Sequence, residues 1–65
     1  MNYQYFASRM RELARSSNAT IKALFHDDEK GIHVALIGDY KITGNSSSKM
    51  ITVIDRHGAK RMASV

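Results

Sequence analysis

Tyr3, Phe6, Met10 and Leu13 recur at spacings of three and four, and Ala7 and Ala14 widen the same stripe. At about 100° per residue these side chains share one helical face, while Ser8, Glu12 and Ser16 point away. Asn2 is placed to cap the first turn, and Arg15 complements the negative end of the helix dipole. Asn18, after two serines, tolerates the left-handed conformation that closes a helix. The pattern predicts a helix over about residues 3–16. With Leu13 on its apolar face, Leu13→Ala is expected to cost about 2–5 kcal/mol, as for a buried leucine.

After Asn18 the period changes from 3.6 to 2. Ile21, Ala23 and Phe25 alternate with Lys22, Leu24 and His26, which suits a strand over about 20–26. The polar stretch Asp27 to Gly31 reads as a hairpin connection. Ile32, Val34 and Leu36 then alternate with His33, Ala35 and Ile37 in a strand over 31–37. Gly38-Asp39 is either a two-residue turn or a bulge that lets this strand continue to 43. The alternation of Tyr40 and Ile42 favours the bulge. Thr43 to Lys49, with three consecutive serines, reads as a mobile loop. Met50 to Ile54 is apolar on both faces, giving an interior strand over about 49–55. After a turn at Asp55 to Gly58, residues 59–64 form an edge strand or a frayed tail.

These elements define an α+β fold in which one N-terminal amphipathic helix packs on a three- to five-stranded antiparallel β-meander. Residues 1–65 form a single small domain. One helix covers one sheet face, with Phe6 and Phe25 expected in the core. The other face, expected to carry His33, Ala35 and Ile37, is left bare. Apolar surface at Ala35, Ile37 or Val53 would then serve a homodimer or another partner.

Composition narrows the chemistry. The chain lacks cysteine, which removes disulfides, thiolate zinc sites and cysteine nucleophiles and suits a reducing compartment. The longest apolar stretch, Val34 to Ile37, is too short to span a bilayer, and the first residues lack the apolar core of a secretory signal. The expected location is the cytoplasm. Ten Lys and Arg against six Asp and Glu leave a net charge of +4, which favours polyanionic partners.

The arrangement of charge says more than its sum. Arg56, His57, Lys60 and Arg61 surround one turn with only Asp55 opposing them, so a basic ribbon tip could grip phosphates. Arg11 and Arg15 lie four apart on one helix flank and form a second candidate phosphate contact. The plain alternatives are a solvated helix face and an edge strand charged against aggregation. Tyr5 and Tyr40 are the only rings left for base stacking, too few for a typical single-strand binder.

No catalytic spacing, cofactor motif or metal-binding pattern emerges. If Phe25 faces His33 across the first hairpin, His26 points the other way and the two histidines cannot share a metal. The sequence therefore predicts a non-enzymatic binding module without cofactor or metal. Charge puts nucleic acid, contacted without strong sequence specificity, first among its partners. The alternative is a small regulatory or inhibitory protein, of the bacterial or phage accessory type, that binds a protein through its bare sheet face or an edge.

Overall fold

A computed structural model describes all residues, 1–65. Helix α1 (Tyr3–Ser16) is followed by strands β1 (Ile21–Asp27), β2 (Ile32–Ile37), β3 (Tyr40–Gly44), β4 (Met50–Ile54) and β5 (Lys60–Ser64). The five strands form one antiparallel sheet in sequential order, with the helix packed on one face, so the expected α+β meander is the fold. The helix is not long and apolar enough to cross a membrane.

The helix ends where its capping residues dictate. Asn2 Oδ1 accepts from the Tyr5 amide at 2.8 Å. At the other end Asn18 adopts φ 53°, and the Asn18 and Ala19 amides donate back to the Arg15 and Ala14 carbonyls. These paired bonds satisfy carbonyls the helix would otherwise leave free.

Gly38 is a turn, not a bulge. Ile37 pairs with Tyr40, and Gly38 takes φ 57° as the first residue of a two-residue hairpin. Positive φ at that position matches the twist of the flanking strands and favours glycine. The bulge lies instead in β1, between Ile21 and Ala23. One extra residue there reverses the strand's phase, placing Leu24 and His26 rather than Ala23 and Phe25 toward the helix.

The expected assignment of sheet faces is therefore reversed. His33, Ala35 and Ile37 lie beneath α1, with Phe6, Met10 and Ala14 pressed on them. Small residues explain the choice, because Ala35 and Gly44 leave hollows that the rings and thioethers of α1 fill. The bare face carries Phe25, Val34, Thr43, Thr52 and Met62 in one transverse row, and Leu36, Lys41, Ile54 and Lys60 in the next. Phe25, expected in the core, is 45% exposed. Ala35 and Ile37, expected to support a dimer, are buried.

Leu13 also departs from expectation. It sits on the flank of the helix stripe at 38% exposure, whereas Met10 is 1% exposed. The 2–5 kcal/mol loss thus belongs to Met10→Ala, while Leu13→Ala should cost roughly 1 kcal/mol. Urea midpoints of the two variants, taken with a common slope, test that order.

The segment Asn45–Lys49 is a loop closed by its own hydrogen bonds. Asn45 Oδ1 accepts from the amide and hydroxyl of Ser47, and Ser48 Oγ accepts from the Met50 amide. The Met1 amino group donates to the Ser46 and Ser48 carbonyls, both at 3.0 Å.

Candidate binding groove and basic tip

A five-stranded sheet is wider than one helix. Neighbouring strands lie about 4.8 Å apart, so the outer strand axes are separated by roughly 19 Å, against a helix diameter of about 10 Å. The helix settles over β1 and β2. The half of the same face formed by β3, β4 and β5 is left as a groove of about 910 Å³. Val53 and Ala63, both half-buried, form its accessible floor above the buried side chains of Ile42 and Ile51. Leu13 forms the helix-side wall, with Met10 buried behind it. Tyr40 closes part of one side and is 46% exposed.

Charges lie along this groove. On the helix, Arg9 Nη1 and Glu12 Oε2 pair at 3.0 Å. Both are exposed, so the pair adds little to stability. On the sheet side Arg61 projects from β5 beside Val53 and forms no ion pair. The register places it there, because Arg61 lies opposite Val53 and shares its face.

The six basic residues singled out in the sequence do not form one surface. Arg56 and His57 sit at the exposed β4–β5 turn. That turn is shaped by Asp55, whose Oδ1 accepts from the His57 amide at 2.8 Å and the Ala59 amide at 3.1 Å. Arg56 Nη1 lies 3.9 Å from Asp39 Oδ2 in the neighbouring turn, and its Nε lies 3.3 Å from His57 Nε2. Lys60 and Arg61, being consecutive in a strand, point to opposite faces: Lys60 to the bare face opposite Ile54, Arg61 to the groove. Arg9, Glu12, Leu13 and Ser16 line the groove, but Arg11 and Arg15 do not. At 100° per residue these two fall on the other helix flank. Arg56 stays with His57 at the turn and Arg11 with Arg15 on one helix flank, while Lys60 and Arg61 are divided between the two faces of the sheet.

Both sheet edges discourage strand addition. The β1 edge is interrupted by its bulge and carries Lys22, while β5 presents Lys60 and Arg61.

One side-chain pair was misjudged from the sequence. His26 lies directly opposite His33 in the β1–β2 register, and their Nδ1 atoms are 2.8 Å apart. The hairpin register accounts for the difference, since Asp27 closes the turn against Ile32 and so sets His26, not Phe25, opposite His33. No cluster of three or more His, Asp or Glu side chains with metal-binding geometry is present. The groove residues Leu13, Ile51 and Val53 were read only as core or dimer surface. A count of sheet width against a single helix could have revealed the uncovered half. Comparison with protein families, with curated proteins and with solved structures finds no match to this chain.

Proposed function

We propose that this chain is a non-enzymatic regulatory protein that binds a protein partner by taking one amphipathic helical segment of it into the groove between α1 and strands β3–β5. The observation that carries this reading is the uncovered half of the sheet. Its floor is apolar, one wall is already a helix, and the remaining width is about that of a second helix. The groove flanks α1, whose 14 residues make it about 21 Å long, so a partner segment of three turns can lie alongside. Anchors at i, i+3 or i+4, and i+7 would meet Leu13, Val53 and Ala63, and an acidic residue on the outer flank would meet Arg61. Enclosed small-molecule sites bury most of their ligand, whereas a trough open to solvent suits one face of a helix. The lack of cysteine suits action in the cytoplasm.

A photo-crosslinking amino acid placed at Leu13 or Val53 tests this, with Met62 on the bare face as comparison. In nuclease-treated lysate of the source cells, adducts from Leu13 and Val53 should map to one amphipathic helical segment of one protein. Leu13→Glu, at a half-exposed site that tolerates charge, should abolish capture. Adducts spread over unrelated proteins, or equally strong from Met62, would refute the reading.

A second reading is favoured by one observation at the β4–β5 turn. Asp55, the only acid within the tip, is engaged by two backbone amides. Lys60 and Arg56, the latter 70% exposed beside Asp39 of the neighbouring turn, face solvent where phosphates can reach them. Binding there would be mostly counterion release, steep in salt and weakly sequence-dependent. Because Lys60 and Arg61 face opposite ways, Arg56→Ala with Lys60→Ala should lower the salt slope by about 2, and Arg61→Ala should add nothing. Fluorescence anisotropy on a random duplex and a single strand provides the measurement. Absence of binding at low salt removes this reading.

A further inference from the structure

We propose that His26 and His33 form a site for one divalent transition-metal ion of the imidazole-preferring kind, copper(II), zinc or nickel, ligated by both Nδ1 atoms with water completing its coordination. The hydrogen-bond logic of the pair leads there. His33 Nε2 lies 3.0 Å from the Met1 carbonyl oxygen, which can only accept, so His33 carries its proton on Nε2. Its Nδ1 is then a lone pair, and that lone pair faces His26 Nδ1 at 2.8 Å. A single proton, the one on His26 Nδ1, therefore sits between two nitrogens that would both be ligands without it.

The outer nitrogens are arranged as they are around bound metals. Ligating histidines commonly donate their second N–H to a backbone carbonyl or a carboxylate, which fixes ring orientation and tautomer. His33 donates to the Met1 carbonyl, and His26 Nε2 faces Asp28 Oδ1 at 3.7 Å. When an ion takes Nδ1, the His26 proton is exchanged through water to Nε2, on the solvent side of the ring with the exposed Asp28 carboxylate nearby. No net proton is released from the neutral pair.

The adjustment falls on one side chain: with the His33 lone pair held on its present line, His26 Nδ1 must swing aside by roughly 2 Å to make room for the ion. Two bonds of about 2.0–2.1 Å at a tetrahedral angle put the nitrogens roughly 3.3 Å apart, about half an ångström more than at present. His33 cannot supply that movement. It is 1% exposed, with the Tyr3 and Phe6 rings at centroid distances of 5.7 and 5.2 Å. His26, with a third of its side chain exposed, can turn outward on the edge strand β1. The ion would join one fixed, buried ligand to one adjustable ligand, and water would reach it from the exposed side of His26. With no third protein ligand, the site should follow the order in which copper(II) binds more tightly than nickel or zinc.

The test uses the untagged full chain. Zinc or copper(II) is titrated by calorimetry, zinc is followed by imidazole NMR, and thermal unfolding is recorded at each metal concentration. The expected result is one ion per chain and movement of the His26 and His33 resonances, with those of exposed His57 unmoved. The unfolding midpoint should rise with metal concentration, because the ion joins two strands only in the folded state. His26→Ala should retain the fold and lose saturable binding, His57→Ala should retain both, and magnesium should not compete. Failure to saturate below about 1 mM, a constant far too weak for a built site, would overturn the proposal. Binding unchanged in His26→Ala would overturn it as well.

Discussion

Phe6→Ala is expected to cost about 3–5 kcal/mol of folding stability, more than any truncation on the bare face. Phe6 is 0% exposed and sits where the helix meets the sheet, against His33 and the backbone of Gly44. Emptying a fully buried phenylalanine site costs about 3–5 kcal/mol, the lost transfer energy plus the residual cavity. A domain of this length holds roughly 3–10 kcal/mol in all, at about 0.05–0.15 kcal/mol per residue. The substitution thus removes a large part of the total or all of it. The comparison is Phe25→Ala, which removes a ring that is 45% exposed on the bare face. That variant should lose about 1 kcal/mol. Circular dichroism across a urea series separates the two. Equal losses, or a Phe6→Ala midpoint close to wild type, would mean that the helix does not seat on Ala35 and Gly44.

The contrast between those two phenylalanines also marks how far the sequence could be read. Element types and order were legible because the signals are local. Asn2 and Asn18 bracket a 3.6-residue stripe, Gly31 punctuates alternating runs, and β1, β2 and β4 stand close to where period and turn chemistry put them. At Gly38 the alternation favours a bulge where a turn makes β3 a separate strand, and for β5 it leaves strand and tail open. The faces were not legible, because face depends on phase. Each strand offered two apolar sets, and the bulge between Ile21 and Ala23 shifted β1 by one residue without any glycine or proline to announce it. Size misled as well: Leu36 and Phe25 look more like core than His33 and Ala35, and Val34 is buried although it lies on the face away from the helix. A helix, however, seats where its own large residues find small ones opposite.

The candidate sites failed to appear for related reasons. The groove is a property of sheet width against helix number, which no stretch of residues encodes. The His26–His33 pair depends on the register of the first hairpin, which Asp27 sets by pairing with Ile32. The basic cluster was visible in sequence, but adjacency along a strand means opposite faces. Lys60 and Arg61 are therefore partners in the sequence and strangers in space.

Gly44 should be intolerant of any side chain, for a reason unrelated to backbone freedom. It lies in β3 opposite His33 without positive φ, so alanine fits its backbone. A Cβ placed there would lie 2.8 Å from Met1 Cε and 3.3 Å from two carbons of the Phe6 ring. The Met1 methyl ends a flexible chain and can swing aside, but the Phe6 ring is fully buried and has nowhere to go. Without the clash, Gly44→Ala would stabilise a strand by about 0.5–1 kcal/mol through reduced freedom of the unfolded chain. With it, overpacking of about 1–3 kcal/mol dominates, and the sign becomes destabilising. Gly44→Val adds two more carbons to the same wall and should approach the loss of Phe6→Ala, since β-propensity returns at most about 1 kcal/mol. A double-mutant cycle isolates the cause. In a Phe6→Leu background the ring is gone, so Gly44→Ala should be neutral or stabilising, a coupling of about 1–3 kcal/mol. Additive losses in that cycle would show that Gly44 is constrained by something other than the ring above it.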